Sequence, residues 1–133
     1  MKYLLDTCTI SHFIKGHPFV SQNLKSTPPQ LLSISTITTM EIEYGLKLNP
    51  ERAKLINNII ETLLARINVL PFTHRDAQVA GSLRADLKKI GTPIGPFDSL
   101  IAGQAISHGL ILITQNRKEF ERIPALFIED WLT

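Results

Sequence analysis

Residues Asp98 to Thr114 read DSLIAGQAISHGLILIT, and this stretch decides the fold class. From Asp98 to His108 the positions are apolar or small almost all round: Leu100, Ile101, Ala102, Gly103, Ala105 and Ile106. A helix of that composition has no wet face and is largely buried. Gly109 closes it, as a glycine just past a helix end commonly does. Leu110-Ile111-Leu112-Ile113 then follows without alternation. The run is too short for a helix and fits a strand covered on both faces, which is the pattern of a parallel sheet.

The same kind of run recurs at Tyr3-Leu4-Leu5, Leu31-Leu32-Ser33-Ile34 and Ile67-Asn68-Val69-Leu70, and more weakly at Leu126-Phe127-Ile128. Helical periodicity fills the intervals. Pro50 to Ala65 places Leu55, Ile59 and Leu63 on one stripe, and Thr73 to Ile90 places Val79, Leu83, Leu87 and Ile90 on another, closed by Gly91. Strands alternating with helices predict an α/β three-layer domain with a mainly parallel sheet of about five strands flanked by helices.

The 133 residues make one domain, 1–133, with no internal repeat and no stretch long enough to link two domains. Apolar residues at 44% and charged residues at 20% argue against disorder. A single cysteine, Cys8, excludes an internal disulfide and a cysteine-based zinc site. No apolar run approaches the roughly 18 residues of a membrane span. The N-terminal segment has too short an apolar stretch for a signal peptide. The expectation is a soluble cytoplasmic protein. A net charge of +2 is too small to point to nucleic acid by itself.

The placement of the acids carries more information. Asp6 follows the first run directly, so it falls at a strand's C-terminal end, where open α/β sheets build their sites. It is equally suited to cap a helix starting near Thr9. On a helix over 37–48, stepping about 100° per residue, Ile37, Met40, Glu41, Tyr44 and Leu48 share one stripe while Glu43 falls opposite. A carboxylate on an apolar stripe needs a metal, a cation or a shifted pKa. Asp98 opens the buried helix as its expected N-cap, and the Gly91 to Gly95 turn before it lets backbone approach closely. Thr114, Asn116 and Glu119 follow the fourth run. Three or four carboxylates at one end of a sheet repel one another unless a hard divalent cation joins them, and Mg²⁺ prefers oxygen ligands. Such a cation would acidify a bound water and neutralise phosphate charge, the chemistry of phosphodiester hydrolysis.

These residues carry a resemblance. Leu4-Leu5-Asp6-Thr7, Met40-Glu41-x-x-Tyr44-Gly45, Gly91-Thr92-Pro93-Ile94-Gly95-Pro96-Phe97-Asp98-x-x-Ile101-Ala102 and Ile113-Thr114-x-Asn116-x-x-Glu119-Phe120 occur in order, with Ile128-Glu129-Asp130-Trp131 at the end. The set resembles the PIN-domain ribonucleases, and among them the VapC toxins of VapBC toxin–antitoxin systems. The resemblance implies a PIN fold and Mg²⁺- or Mn²⁺-dependent endonucleolytic cleavage of RNA. Asp6, Glu41 and Asp98 match the family's acidic triad, Glu119 the fourth and more variable acidic position, and Thr114 and Asn116 the supporting polar positions. The implied substrates are structured RNAs, tRNA first. The 91–98 pattern resembles the branch that cuts initiator tRNA in its anticodon stem-loop. The implied partners are a VapB-type antitoxin, whose C-terminal tail enters the acidic groove, and a second copy in a homodimer.

Two positions depart from the family pattern. Cys8 stands where Asn is usual, and a thiol lacks the amide's paired donor and acceptor; the expectation is a small core residue rather than a catalytic thiol. Gln115 stands where another polar or a basic residue is usual. Candidate phosphate contacts are Arg84, Lys88, Arg117 and Lys118, with Lys15, His17 and Lys89. His108 falls at a helix C-terminus, where the dipole favours it. Rival readings fit less well. A receiver needs a phosphoacceptor Asp after the third run, where Leu70-Pro71-Phe72 stands, and an aspartyl phosphatase needs Asp two residues after Asp6, where Cys8 stands. No Gly-x-Gly-x-x-Gly follows a strand. A PIN domain that binds RNA without cutting it is the remaining rival.

Overall fold

The structure is a computed structural model and describes residues 1–133. Each predicted apolar run contributes to a strand: β1 (Tyr3–Leu5), β2 (Leu32–Ser35), β3 (Asn68–Leu70), β4 (Ile111–Ile113) and β5 (Ile128–Glu129). All four pairings are parallel, in the order β3-β2-β1-β4-β5. Parallel neighbours need crossovers. These are α1 (Thr7–Ile14) and α2 (Pro18–Ser26), α3 (Thr36–Leu48) and α4 (Pro50–Arg66), α5 (His74–Lys89) and α6 (Pro96–His108), and the short α7 (Arg117–Phe120).

The non-alternating runs are explained by what covers them. In β1, Leu4 packs on one face of the sheet and Leu5 on the other; Leu112 and Ile113 divide in the same way in β4. One core joins Leu4 and Leu112 to Leu83 and Leu87 of α5, Ile101 and Ala105 of α6, and Phe120 of α7. The other joins Leu5 and Ile113 to Ile10 of α1, Val20 and Leu24 of α2, and Trp131. Sheet strands with helices on both sides make the three layers that were expected.

Two helical stripes read from sequence do not face the core. In α3, Met40 (43% exposed), Tyr44 and Leu48 point to solvent, and the buried face runs through Thr38 and Ile42. In α4, Leu55 and Ile59 are exposed while Ile60 is buried. Both helices carry apolar residues on two adjacent faces, so periodicity could not say which face the sheet takes. The mixed face with Thr38, whose hydroxyl accepts from Thr7 at 3.4 Å, is the one turned inward.

Helix α6 lies close against α5. A Cβ added at Gly103 would sit 2.7 Å from the Cα and Cβ of Ala80 and 2.8 Å from its backbone nitrogen. This approach sets the position of α6 and hence of the acid in its first turn.

A buried polar knot locks the same pair. Thr73 and Asp76 form a reciprocal capping box at the start of α5, with the Asp76 carboxylate accepting from the Thr73 N–H at 2.9 Å. Gln104 of α6 donates to Asp76 at 3.3 Å, and His108 Nε2 lies 3.3 Å from its other oxygen. His108 thus has a specific partner beyond the helix dipole. Burial alone would raise the Asp76 pKa, but the Thr73 N–H, the Ser107 and Thr73 hydroxyls and His108 together hold it below the ordinary value. Asp76→Ala leaves several buried donors unpaired, and is expected to cost roughly 2–4 kcal/mol in urea unfolding. Because the folded pKa is depressed, Asp76's contribution is present above the unfolded carboxylate pKa and lost as pH falls through the folded one.

Candidate active site

The chain moves from β1 to β2 and β3 on one side, then returns to place β4 on the other side of β1. The carboxyl ends of β1 and β4 therefore flank a topological switch, where an open α/β sheet leaves a crevice. Asp6 leaves β1 there and Thr114 leaves β4. Asp6 is 6% exposed and caps α1, its carboxylate accepting from the Thr9 N–H at 2.8 Å. Capping and a position at the strand end are both realised. Burial raises the Asp6 pKa, opposed by hydrogen bonds from Thr114 and from the Thr9 backbone and hydroxyl, and by nearby His12. The Thr9 hydroxyl also donates to the Ile113 carbonyl at 3.0 Å, tying α1 to β4.

Asp98 is not the N-cap of α6. Gly95 is, and the helix opens at Pro96, two residues earlier than expected. Proline suits a first helical position because no N–H is needed there. Asp98 falls in the first turn, with its carboxylate on the Glu119 side of Gly95: a Cβ built on Gly95 would meet Asp98 Oδ2 at 3.6 Å and Glu119 Oε1 at 3.9 Å. Partial burial, Glu119, Asp6 and Glu41 raise the Asp98 pKa to about 6. Glu119 moves the other way, held low mainly by the Gly95 N–H at 2.9 Å, with further help from the Asn116 amide at 2.7 Å. Of the two, Asp98 is the one pushed up, because Glu119 already has donors in the Gly95 N–H and the Asn116 amide.

Glu41 reaches the same crevice from the second turn of α3. It is half-buried, and Oε1 accepts from the Thr7 hydroxyl at 2.9 Å. Thr114 is fully buried and its hydroxyl accepts the Asn116 N–H at 3.0 Å. Asn116 does not cap α7 with its side chain; it holds Glu119 instead. The structure thus gathers Asp6, Glu41, Asp98 and Glu119, with Thr114 and Asn116 beneath them. Sequence reading missed Thr7, the Gly95 N–H and Arg122. Arg122 donates to the Pro93 carbonyl at 3.2 Å and adds positive charge near Glu119. Its place three residues after Glu119 was the available signal.

Cys8 is not a core residue. It is exposed, and its thiol pKa is raised by partial burial and by the charges of Asp6, Asp98 and Glu41, with hydrogen bonding to Gln115 opposing. The reason is helical geometry: one residue after Thr7, which faces Glu41, the side chain turns outward along the rim. Of the cations, Arg84 and Lys88 border a hollow with Pro93 and Ile94, beside the loop that carries Gly95. Arg117 lies 3.7 Å from Glu121, and Lys118 and Lys89 are exposed.

No three carboxylate, histidine or cysteine groups close tightly enough on one point to enclose an ion by themselves. The donor set is nonetheless all oxygen and part-open to water, and its repulsion is registered on Asp98. That fits a hard divalent cation that keeps several of its own waters. Protons compete for the same oxygens. Mg²⁺ affinity is therefore expected to fall as pH drops through about 6, and titration calorimetry at neutral and acidic pH checks this. The sign for folding is the reverse of the Asp76 case. A raised Asp98 pKa penalises the metal-free fold above about 6, and that penalty is relieved as pH falls toward 3.8.

The PIN-domain family model matches residues 3–126. The tRNA(fMet)-specific endonuclease VapC of Salmonella typhimurium is 41% identical over 133 residues, covering 98% of each chain. Ribonuclease VapC2 of Haemophilus influenzae is 36% identical over 134 residues, covering 99% of each. Among solved structures, DNA-bound VapBC from Salmonella typhimurium aligns over 98% of each chain with a TM-score of 0.90 and 38% identity.

Proposed function

This chain belongs to the PIN-domain family, among the VapC ribonucleases, and from that premise we propose that it is a metal-dependent endoribonuclease toxin of a toxin–antitoxin module. Its substrate is structured RNA, with initiator tRNA the first candidate. The support for that substrate is the 91–98 pattern and a tRNA(fMet)-specific relative of nearly equal length. Residues 1–133 act as one PIN domain. The observation that carries the catalytic reading is the convergence of Asp6, Glu41, Asp98 and Glu119 at the β1/β4 switch, which leaves the Asp98 pKa near 6.

Asp6, Glu41 and Asp98 would hold Mg²⁺ or Mn²⁺, with Glu119 available to a second ion. When bound, the cation supplies a more acidic water and charge neutralisation at the phosphate. The chain supplies the rest. Asp6 is fixed by the α1 backbone, and Thr7 orients Glu41. Glu119, gripped by Asn116 and the Gly95 N–H, holds the 91–95 loop against the first turn of α6. Hydrolysis breaks the bond from phosphorus to the 3′ oxygen and leaves a 5′-phosphate and a 3′-hydroxyl. Arg84, Lys88, Arg117 and Lys118 are the phosphate contacts of this reading, and such contacts set register without reading sequence.

Helices α3 and α4 leave Met40, Tyr44, Leu48, Leu55 and Ile59 exposed, and grouped exposed apolar side chains mark interaction surfaces. We assign them to protein partners, a VapB-type antitoxin and a second copy of this chain; the neighbouring VapBC complexes support the antitoxin. No helix is long and apolar enough to cross a membrane, which agrees with a cytoplasmic site of action.

The test is incubation of antitoxin-free protein with total tRNA and Mg²⁺ or Mn²⁺, beside EDTA and Asp98→Asn controls, with cut ends mapped by sequencing. A discrete cut that vanishes in both controls is the expected result. Intact tRNA and intact ribosomal RNA, with protein folded and metal bound, would sink the reading in favour of an RNA-binding module.

A further inference from the structure

The exposed face of α1 leads away from the carboxylates in an ordered strip. Cys8 lies nearest, beside Asp6, Asp98 and Glu41, and Gln115 is hydrogen-bonded to it. The other end of the Gln115 amide is also engaged: its Oε1 lies 2.9 Å from His12 Nε2. Cys8 and His12 are one turn apart on the same helical face. From His12 the strip crosses to α2. The His12 and His17 rings meet edge-to-face with centroids 5.6 Å apart, and His17 and Phe19 follow at 6.0 Å. His17 is fixed as the N-cap of α2, its Nδ1 accepting from the Val20 N–H. Phe19 is 52% exposed, so its ring is open to a stacking partner. Exposed Lys15 stands between His12 and His17 in sequence and adds the strip's positive charge.

We propose that His12, His17 and Phe19, with Lys15 and the clamped Gln115, form a stacking track that holds unpaired nucleotides of the RNA next to the scissile phosphate. The proposal rests on the ribonuclease reading above. Three features select single-stranded RNA as the occupant. Aromatic rings interleaved with a cation are the composition that binds unstacked bases and their backbone. The strip is continuous with the acidic crevice through Cys8 and Gln115. The rings are pre-assembled, so little order has to be imposed on binding. Gln115 acts through this arrangement, its side-chain carbonyl held at His12 beside Cys8. The departures at positions 8 and 115 thus belong to one rim, and the track is a specificity device rather than part of the bond-breaking machinery.

The test uses full-length protein. In the Asp98→Asn background, binding of a labelled single-stranded oligoribonucleotide is compared with that of its abasic counterpart by fluorescence anisotropy. Phe19→Ala is expected to weaken binding of the normal strand about tenfold, the scale of one lost base stack, and to leave the abasic strand unaffected. Phe19→Trp is expected to retain binding. His17→Asn keeps the α2 cap while removing the ring, and is expected to behave like Phe19→Ala. In the otherwise wild-type enzyme both losses appear in KM for tRNA rather than in kcat. Equal affinities for all variants and both strands, in a protein that still cuts tRNA, would overturn the track and leave the nuclease reading standing. A loss confined to antitoxin binding would reassign the strip to a protein partner and also overturn it. Wild-type protein that neither binds nor cuts RNA would overturn both readings together.

Discussion

Asp98→Asn is expected to reduce RNA cleavage at least about a thousandfold while leaving the protein folded. Charge stabilisation by a catalytic metal is worth several kcal/mol, and each 1.4 kcal/mol is about tenfold in rate. The amide is a poorer ligand for a hard cation and carries no charge to attract one. The fold survives for a reason other than capping, since Gly95 holds that position. Asp98 stands among Asp6, Glu41 and Glu119, which raise its pKa to about 6. Removing its charge relieves that repulsion. The variant is therefore expected to be the more stable protein above pH 6 in EDTA, by on the order of 1 kcal/mol once solvent screening of a half-exposed group is allowed for. The difference should shrink as pH falls from about 6 and vanish well below 3.8, where wild-type Asp98 is protonated in both states. Thermal denaturation in EDTA across this range, beside the cleavage assay, separates a lost ligand from a damaged fold. Full activity in Asp98→Asn would mean that the site has been misassigned.

Gly103→Val is expected to be the most damaging single change away from the acids, and neighbouring Gly81→Ala is its control. Both glycines lie in helices, where alanine in place of glycine gains roughly 1 kcal/mol of propensity. At Gly81 nothing lies within 4 Å of a new Cβ, so Gly81→Ala should realise most of that gain. At Gly103 the new atom would meet the Ala80 backbone at 2.7–2.8 Å. Backbone cannot move aside as a long side chain can. Helices α5 and α6 must separate, and overpacking of this kind costs about 1–3 kcal/mol even for small additions. Gly103→Ala should therefore be net destabilising despite its better propensity, and Gly103→Val more so, by over about 3 kcal/mol, since its branched side chain is also unfavourable in a helix. Ala80→Gly should rescue it only in part, because the Ala80 Cα and nitrogen remain. Any shift of α6 moves Asp98, so activity should fall with stability. Gly103→Ala as stable as wild type would show that the two helices have slack that their spacing denies.

The two helical stripes that sequence misplaced and the cap it misassigned have a common cause. Periodicity identifies a helix and its apolar positions, but α3 and α4 each carry apolar residues on adjacent faces. Which face meets the sheet depends on neighbours distant in sequence, here Thr7, whose hydroxyl links both Thr38 and Glu41. Likewise Asp98 was read as a cap because carboxylates favour that place. Pro96 starts the helix sooner, and the side chain answers instead to Glu119, more than twenty residues away. The Cys8 thiol was assigned to the core by its residue type and lies on the rim by its helical position.

Sequence by itself determined the layers, the parallel strands and the acids at their ends. Continuous apolar runs need cover on both faces, and a residue that directly follows a strand has nowhere to go but its carboxyl edge. Tertiary structure alone decided how those acids differ. Asp6 is sealed against α1, the Glu119 pKa is held low by the Gly95 N–H and the Asn116 amide, and that of Asp98 is pushed up to about 6 by partial burial and by the negative charge of the other carboxylates. The charge state of a carboxyl group is set by donors and charges within a few ångströms, and only the closed fold brings residues 6, 41, 98 and 119 that near.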